Sequence, residues 1–296
     1  MKDYLIRGMA GNNELRCCAV TSRWLVEEAR RAHGTSPTAS AALGRTMSGA
    51  LLMSDLLKGD DDLMTVRFDG DGPLGAIVVT AGRHGDVKGY VQNPQVWLPL
   101  KADGHLDVGR AVGKGMLTVI RDLDGENSYT GQTAIRTGEI AEDLTWYFAE
   151  SEQVPSSVGL GVLVDTDQSI RQAGGFLIQL MPYASDETID RLEQNLGSIR
   201  SVTNMLEDGL SPEQMLGEVL RGFDGLEIVE RMPVRFRCSC SRDRVERALM
   251  LIGEVELEDL IRAGQGASLS CQFCGKQYYF GTGELEKIRA KAYPPQ

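Results

Sequence analysis

The apolar positions of this 296-residue chain alternate between strand and helix spacing along its length. Leu15 to Thr21 (LRCCAVT) is a short strand-like run, and Ser22 offers an N-cap to RWLVEEARRAH, where Leu25, Ala29 and Ala32 fall at helical spacing. From Ser40 to Lys58 the residues Leu43, Met47, Ala50, Leu51 and Leu57 keep a helical period, while Gly44, Ser48 and Gly49 are small enough for close approach. That spacing predicts a buried helix. MTVRFDGDGPLGAIVVTAGRHGDVKGYVQNP then breaks into β-rich runs between Gly-Asp turns, which predicts an antiparallel meander continued by GMLTVIRDL and SYTGQTAIRTGEI. A helix over AEDLTWYFAESEQ precedes two apolar strand-like runs, VGLGVLVD and GGFLIQLMP. Residues 1–179 therefore read as sheets packed with helices.

The pattern changes after Pro182. In SDETIDRLEQNLGSIRSV, Ile189, Leu192, Leu196 and Ile199 lie on one helical face, and acidic residues crowd the first turn, where the helix dipole favours them. Ser211, Pro212 and Gln214 then supply an N-cap, an N1 proline and a capping-box partner for a second helix, whose apolar face is Met215, Leu216, Val219 and Leu220. Helices this short are marginal alone in water, so each must rest on something. The last block opens with the strand-like PVRFRCSC, continues as a helix-turn-helix pattern with Gly264 as a C-cap, and closes with LSCQFCGKQYYFG, a turn between two strands. The expected fold class is α+β, in three parts. Residues 1–179 form an N-terminal α/β core domain, 180–231 a helical linker, and 232–296, with its paired Cys238-x-Cys240 and Cys271-x-x-Cys274, a small C-terminal zinc-binding domain.

Composition excludes more than it selects. Apolar residues make up 42% of the chain and charged residues 25%, which is ordinary globular usage. A net charge of −11 makes the chain a poor general binder of nucleic acid. Residues 180–231 hold eleven acidic and four basic side chains, the densest negative stretch. The N-terminus has no apolar core behind a basic start, and no apolar run reaches membrane-spanning length, so the expectation is a cytoplasmic protein with no membrane partner.

The chemistry lies in the cysteines. Cys238 and Cys240 form Cys-x-Cys, and after thirty residues Cys271 and Cys274 form Cys-x-x-Cys, each pair ending a strand-like run. Four thiolates satisfy a tetrahedral Zn2+ ion and leave no open position for a catalytic water. Gly275-Lys276 suits the tight turn of such a knuckle. Four unrelated core thiols would not fall in two tight pairs within 37 residues, and a thioredoxin-like redox pair would need a βαβ context that is missing here. Cys17 and Cys18, adjacent in a strand, point to opposite faces and read as structural thiols.

The cysteine set, together with GEIAEDLTWYFAESEQVPSSVGLGVLV (138–164), the RDL of 121–123 and the GGFLIQLMP of 174–182, resembles the redox-regulated holdase chaperone family, heat shock protein 33. The likeness runs essentially end to end. It implies an ATP-independent, non-enzymatic, cytoplasmic stress-response chaperone that holds one zinc on Cys238, Cys240, Cys271 and Cys274 and is inactive when reduced. It further implies that oxidation forms the disulfides Cys238–Cys240 and Cys271–Cys274, releases zinc and unfolds the linker. The active form then binds unfolding client proteins through the core domain and pairs as a homodimer.

Other motifs carry less. Gly70, Gly72 and Gly75 spell G-x-G-x-x-G, but strand-like sequence follows, so a phosphate would meet no helix N-terminus and a β-turn is expected. Asp60, Asp61 and Asp62 read as a solvated loop, and His33, His84 and His105 match no catalytic spacing. The competing class is a static zinc module binding nucleic acid or a protein partner. Arg235, Arg237, Arg242, Arg244 and Arg247 favour it, and the interleaved or following Asp243, Glu246, Glu254, Glu256, Glu258 and Asp259 oppose it.

Overall fold

In the computed structural model, which describes residues 2–123 and 127–293, two units separate at Arg237/Cys238. The first contains, in chain order, β1 (Tyr4–Ala10), β2 (Leu15–Thr21), α1 (Arg23–His33), α2 (Pro37–Met53), β3 (Leu63–Gly70), β4 (Ala76–Gly82), β5 (Asp86–Val91), α3 (Val108–Val112), β6 (Gly115–Leu123) and β7 (Asn127–Ile135). It continues with α4 (Ile140–Tyr147), β8 (Ser156–Val164), β9 (Ile170–Leu180), α5 (Asp186–Ser198), α6 (Val202–Glu207), α7 (Pro212–Val219), β10 (Glu227–Pro233) and β11 (Arg235–Phe236). The second unit holds α8 (Arg242–Met250), α9 (Glu254–Ala263), β12 (Ala267–Ser270), β13 (Gln277–Phe280) and α10 (Thr282–Ala292). The architecture is α+β, as the alternating periods predicted.

Helix α2 organises the first unit. It packs against β2, β8 and β9 of a five-stranded sheet ordered β10-β1-β2-β9-β8, and against β3, β4 and β5 of a six-stranded sheet ordered β11-β5-β4-β3-β6-β7. Nearly every residue of α2 is buried, which explains its apolar and small-residue composition. A Cβ on Gly44 would meet Val26 Cγ1 at 2.6 Å, and one on Gly49 would meet Leu144 Cδ1 at 2.6 Å. The helix starts at Pro37, ahead of the expected Ser40, because Ser36 caps it by accepting from the Ala39 N–H and Pro37 occupies the first turn. It also ends sooner, since a 3-10 turn over Ser54–Leu56 replaces its expected last residues.

The α1 cap differs from expectation in its source. Ser22 makes no side-chain cap bond; its hydroxyl pairs with Ser48 Oγ at 2.8 Å. Asp3 Oδ2 instead accepts from the Leu25 N–H at 2.8 Å. Burial pushes the Asp3 carboxyl up to about 6, against the opposing backbone hydrogen bonds of Leu25 and Trp24. Between an unfolded value near 4 and that folded value the native protein holds a proton the unfolded chain lacks, so stability is present below about pH 4 and is lost as pH rises through about 6. Asp3→Asn stays neutral throughout. Its urea-unfolding free energy is expected to lose a downward slope between pH 4 and 6 on the order of 2–3 kcal/mol relative to the parent. Parallel curves for the two proteins would refute the buried-carboxyl account.

The G-x-G-x-x-G segment is the turn between β3 and β4, with no helix after it. A Cβ on Gly70 would meet the Val112 carbonyl oxygen at 1.9 Å, so these glycines allow the turn to lie against α3. Asp62 is buried, with Oδ2 accepting from the Lys58 and Gly59 N–H groups, which corrects its reading as solvated.

Residues 180–231 lie in the first unit. Helices α5, α6 and α7 cover one face of the five-stranded sheet: Ile6, Leu15, Cys17, Ala19, Phe176 and Ile178 from the strands cluster with Leu192, Val202, Met205, Leu206, Met215, Leu216, Val219 and Leu220 from the helices. The single amphipathic helix expected through Val202 is interrupted after Ser198, and Ser201 starts α6 by accepting from the Asn204 N–H. The capping box on α7 forms as predicted, with Ser211 and Gln214 bonding each other's backbone. Polar bonds fasten α5 to the end of α7, where Asn195 Nδ2 donates to the Val219 and Arg221 carbonyls at 3.0 and 2.8 Å. The chain then supplies an edge strand to each sheet, β10 antiparallel to β1 and β11 parallel to β5, before the second unit begins.

Candidate metal centre

Both cysteine pairs sit where short-range hydrogen bonding fixes a turn. Cys238-Ser239-Cys240 runs directly into α8, whose N-cap Ser241 accepts from the Arg244 N–H. Cys271–Cys274 forms the bend between β12 and β13, antiparallel strands registered from Ala267↔Phe280 to Ser270↔Gln277. The Cys271 N–H donates to Lys276 O at 2.9 Å, and its carbonyl accepts from Gly275 at 2.8 Å and Cys274 at 3.3 Å. Gly275 takes φ +69°, a left-handed conformation that a side chain would strain, which is why glycine follows the second pair. The helix-turn-helix between the pairs also forms, and Gly264 caps α9 in the left-handed region.

These turns bring all four sulfurs together, with every Sγ within 4.8 Å of every other. Cys238 and Cys271 are 3.7 Å apart at sulfur, and Cys240 and Cys274 3.4 Å. A tetrahedral zinc with bonds of about 2.3 Å to thiolates has sulfur–sulfur edges of roughly 3.8 Å, whereas a disulfide needs about 2.05 Å. The cluster thus has the dimensions of a four-thiolate metal site, and all four cysteines are free thiols. Burial first, with hydrogen bonds to the other sulfurs, pushes the Cys274 thiol up to about 12 and raises Cys238. Cys240 is also desolvated but is drawn down to about 7 by hydrogen bonds from Tyr278 and the other cysteines. Four negative sulfurs this close repel, and a bound cation is the ordinary way to hold them ionised together.

Tyr278 was not singled out from sequence. Its hydroxyl donates to Cys240 Sγ at 3.1 Å, and the Lys276 ammonium lies 5.2 Å from its ring centroid. The available signal was strand alternation, which turns Tyr278 and Phe280 inward from β13. Around the site, Leu249, Leu257, Ala267, Tyr278, Phe280, Leu285 and Ile288 make a small core, with Cys240 and Cys271 packed against it. Arg242 bridges this core to α10 through Glu284 Oε1 at 2.7 Å, and Arg244 Nη1 donates to Ser239 Oγ at 2.8 Å.

The other sequence candidates lie apart from this cluster. Cys17 is fully buried under α5–α7, while Cys18 faces the opposite side of the sheet, 3.9 Å from Asp55 Oδ2. Burial alone pushes Cys17 up to about 12 and, with the Asp55 charge, raises Cys18 as well, so neither is a ready thiolate. Among the described residues, no helix is long and apolar enough to cross a membrane.

Comparisons with known proteins agree over nearly the whole chain. The family model described as Hsp33 protein matches residues 3–281. The 33 kDa chaperonin of Agathobacter rectalis is 50% identical over 289 residues, covering 98% of this chain and 100% of the relative. That of Bacillus subtilis is 48% identical over 288 residues, covering 97% and 98%. The crystal structure of the 33 kDa chaperonin (heat shock protein 33 homolog) from Thermotoga maritima is similar with a TM-score of 0.92 at 33% identity, covering 98% of this chain and 99% of that one. The family and its relatives' names point to a chaperone and not to an enzyme. From the end-to-end match of sequence and fold, the chain belongs to the Hsp33 protein family.

Proposed function

We propose that this protein is a redox-regulated, ATP-independent holdase that is zinc-bound and inactive when reduced. Cys238, Cys240, Cys271 and Cys274 hold one Zn2+, whose role is to cross-link the two halves of the second unit. The observation that carries this reading is the four-sulfur cluster inside a unit whose buried apolar core has seven members among the described residues. So small a core does not stabilise some 60 residues unaided, whereas structural zinc contributes roughly 10 to 16 kcal/mol in small modules. The metal is therefore the principal fastening.

Oxidation would act on that fastening. A peroxide takes two electrons from each thiol pair, giving Cys238–Cys240 and Cys271–Cys274 and leaving no thiolates for zinc. The resulting loops are so short that they remove little chain entropy, and neither bond joins the first pair to the second. The second unit loses its tie, the stretch 180–231 loosens, and the sheet face beneath α5–α7 becomes a surface for unfolding proteins. The roles assigned are client binding for 1–179, a redox-sensitive linker for 180–231 and the zinc switch for 232–296. The covered cluster of strand and helix side chains supports this division, because it is a contiguous apolar face dressed by helices too short to persist alone. In the same reading the protein works in the cytoplasm, pairs as a homodimer when active, and has no nucleic-acid or membrane partner.

The test is light scattering of a thermally unfolding client with the protein added either reduced and zinc-loaded or peroxide-treated at raised temperature. Suppression by the oxidised sample alone is expected. Equal suppression by both would reduce the cysteines to a structural role, and suppression by neither would remove the holdase assignment.

A further inference from the structure

The first unit contains a cationic cavity that the chaperone reading does not use. It has a volume of about 640 Å3, and its lining includes Arg7, Arg16, Lys58, Arg83 and Arg121 against two carboxylates, Asp55 and Glu230. A positive excess at one place is unexpected in a chain of net charge −11.

Its centre is an arginine on a sheet face. Arg7 stands in β1 between cross-strand neighbours Cys18 and Glu230, and its side chain is only 9% exposed. Nη1 donates to Glu230 Oε2 at 2.9 Å, and Nε lies 3.0 Å from Asp55 Oδ1. Nη2 is buried and has no hydrogen-bond partner among the described residues. Asp55 is shared with a second guanidinium, that of Arg16. Arg121 is engaged at Nη2 by Glu152, 3.1 Å away, while its Nε is also buried without a partner. Lys58 and Arg83 come from the segments after α2 and β4, which are joined by a hydrogen bond from Arg83 to the Lys58 carbonyl. Neither side chain makes an ion pair among the described residues. A network serving only to hold the fold would balance its charges and satisfy its buried guanidinium N–H groups, because an orphaned donor is costly. Here three carboxylates, Asp55, Glu230 and Glu152, face five cations, and the residues that carry those cations line one space.

We infer that this cavity binds a small, multiply charged oxyanion of the phosphate class. Guanidinium forks match the oxygens of a tetrahedral oxyanion in pairs, and an ammonium adds a point charge. The space exceeds what one orthophosphate fills, so the site suits a diphosphate or a larger phosphate-bearing molecule. This inference stands independently of the zinc switch, since every lining residue belongs to the first unit.

Titration calorimetry of the full-length reduced protein with inorganic pyrophosphate, orthophosphate and citrate provides the test. Pyrophosphate is expected to bind more tightly than orthophosphate, with affinity falling as salt rises. Lys58→Gln with Arg83→Gln is expected to weaken pyrophosphate by at least about tenfold, because two charged donors are lost. The same charge change at Arg110 and Lys114, exposed residues outside the lining, is expected to leave it unchanged. Absence of pyrophosphate binding, or equal weakening by both pairs of substitutions, would overturn the site. Citrate binding as tightly as pyrophosphate would overturn its phosphate character. Thermal melts of both variants identify any general loss of folding, and Arg7→Lys, which keeps a buried cation but removes the fork, is expected to weaken binding independently.

Discussion

If the four cysteines hold one zinc as proposed, Cys271→Ser is expected to leave residues 238–293 unfolded even under reducing conditions, with zinc content falling from one ion per chain to near none. The substitution removes one of four sulfurs that lie within 4.8 Å of one another, and a serine hydroxyl is a poor replacement for a thiolate. The expected loss is a large part of the roughly 10 to 16 kcal/mol that such a site contributes, comparable with the 5 to 15 kcal/mol stability of a whole domain. The core of Leu249, Leu257, Phe280, Leu285 and Ile288 is too small to compensate. Limited proteolysis should then cut within 238–293 and in the loosened stretch 180–231 while residues 1–179 survive, and a chelator should reproduce the pattern in the parent protein. A variant that keeps stoichiometric zinc and resists protease would sink the four-ligand assignment.

Leu216→Asp should convert the reduced, zinc-loaded protein into a constitutive binder of unfolding clients. Leu216 is fully buried between α7 and the sheet, among Met205, Met215 and Ile178. Truncating such a leucine costs about 2 to 5 kcal/mol, and a carboxylate without a partner in the same place costs more. Helix α7 spans eight residues and has little stability of its own, so a cost of this size is expected to release it. Detachment of α5–α7 would uncover Ile6, Ala19, Phe176 and Ile178, while α2 and the six-stranded sheet stay packed. Hydrogen exchange should show protection lost over 186–220 and kept in α2, with a hydrophobic dye bound and client aggregation suppressed without oxidant. Detached helices with no suppression would mean that this face does not hold clients. Leu216→Met, which conserves volume, is expected to behave as the parent.

What could be read in advance was what depends on near neighbours. The paired cysteine spacings, the glycine after the second pair, the Ser211–Gln214 capping box and the Gly264 cap are all set within four or five residues, and each forms as read. The alternation of Tyr278 and Phe280 belongs with them, although its consequence at Cys240 needed coordinates. Readings failed where a competing local signal was passed over, as at Ser36-Pro37, or where one amphipathic pattern concealed a break, as between Ser198 and Val202.

The sequence by itself thus determined the α+β class, the identity of the four thiols and the amphipathic character of residues 186–220. Tertiary structure alone decided that Asp3 caps a helix twenty residues away, that β10 and β11 close the two sheets, and that five cations from separate segments share a cavity. The reason is physical. Local signals arise from backbone geometry that repeats every two or every 3.6 residues, whereas the partner of a buried charge or an edge strand is chosen by which distant surfaces must be satisfied once the chain has packed.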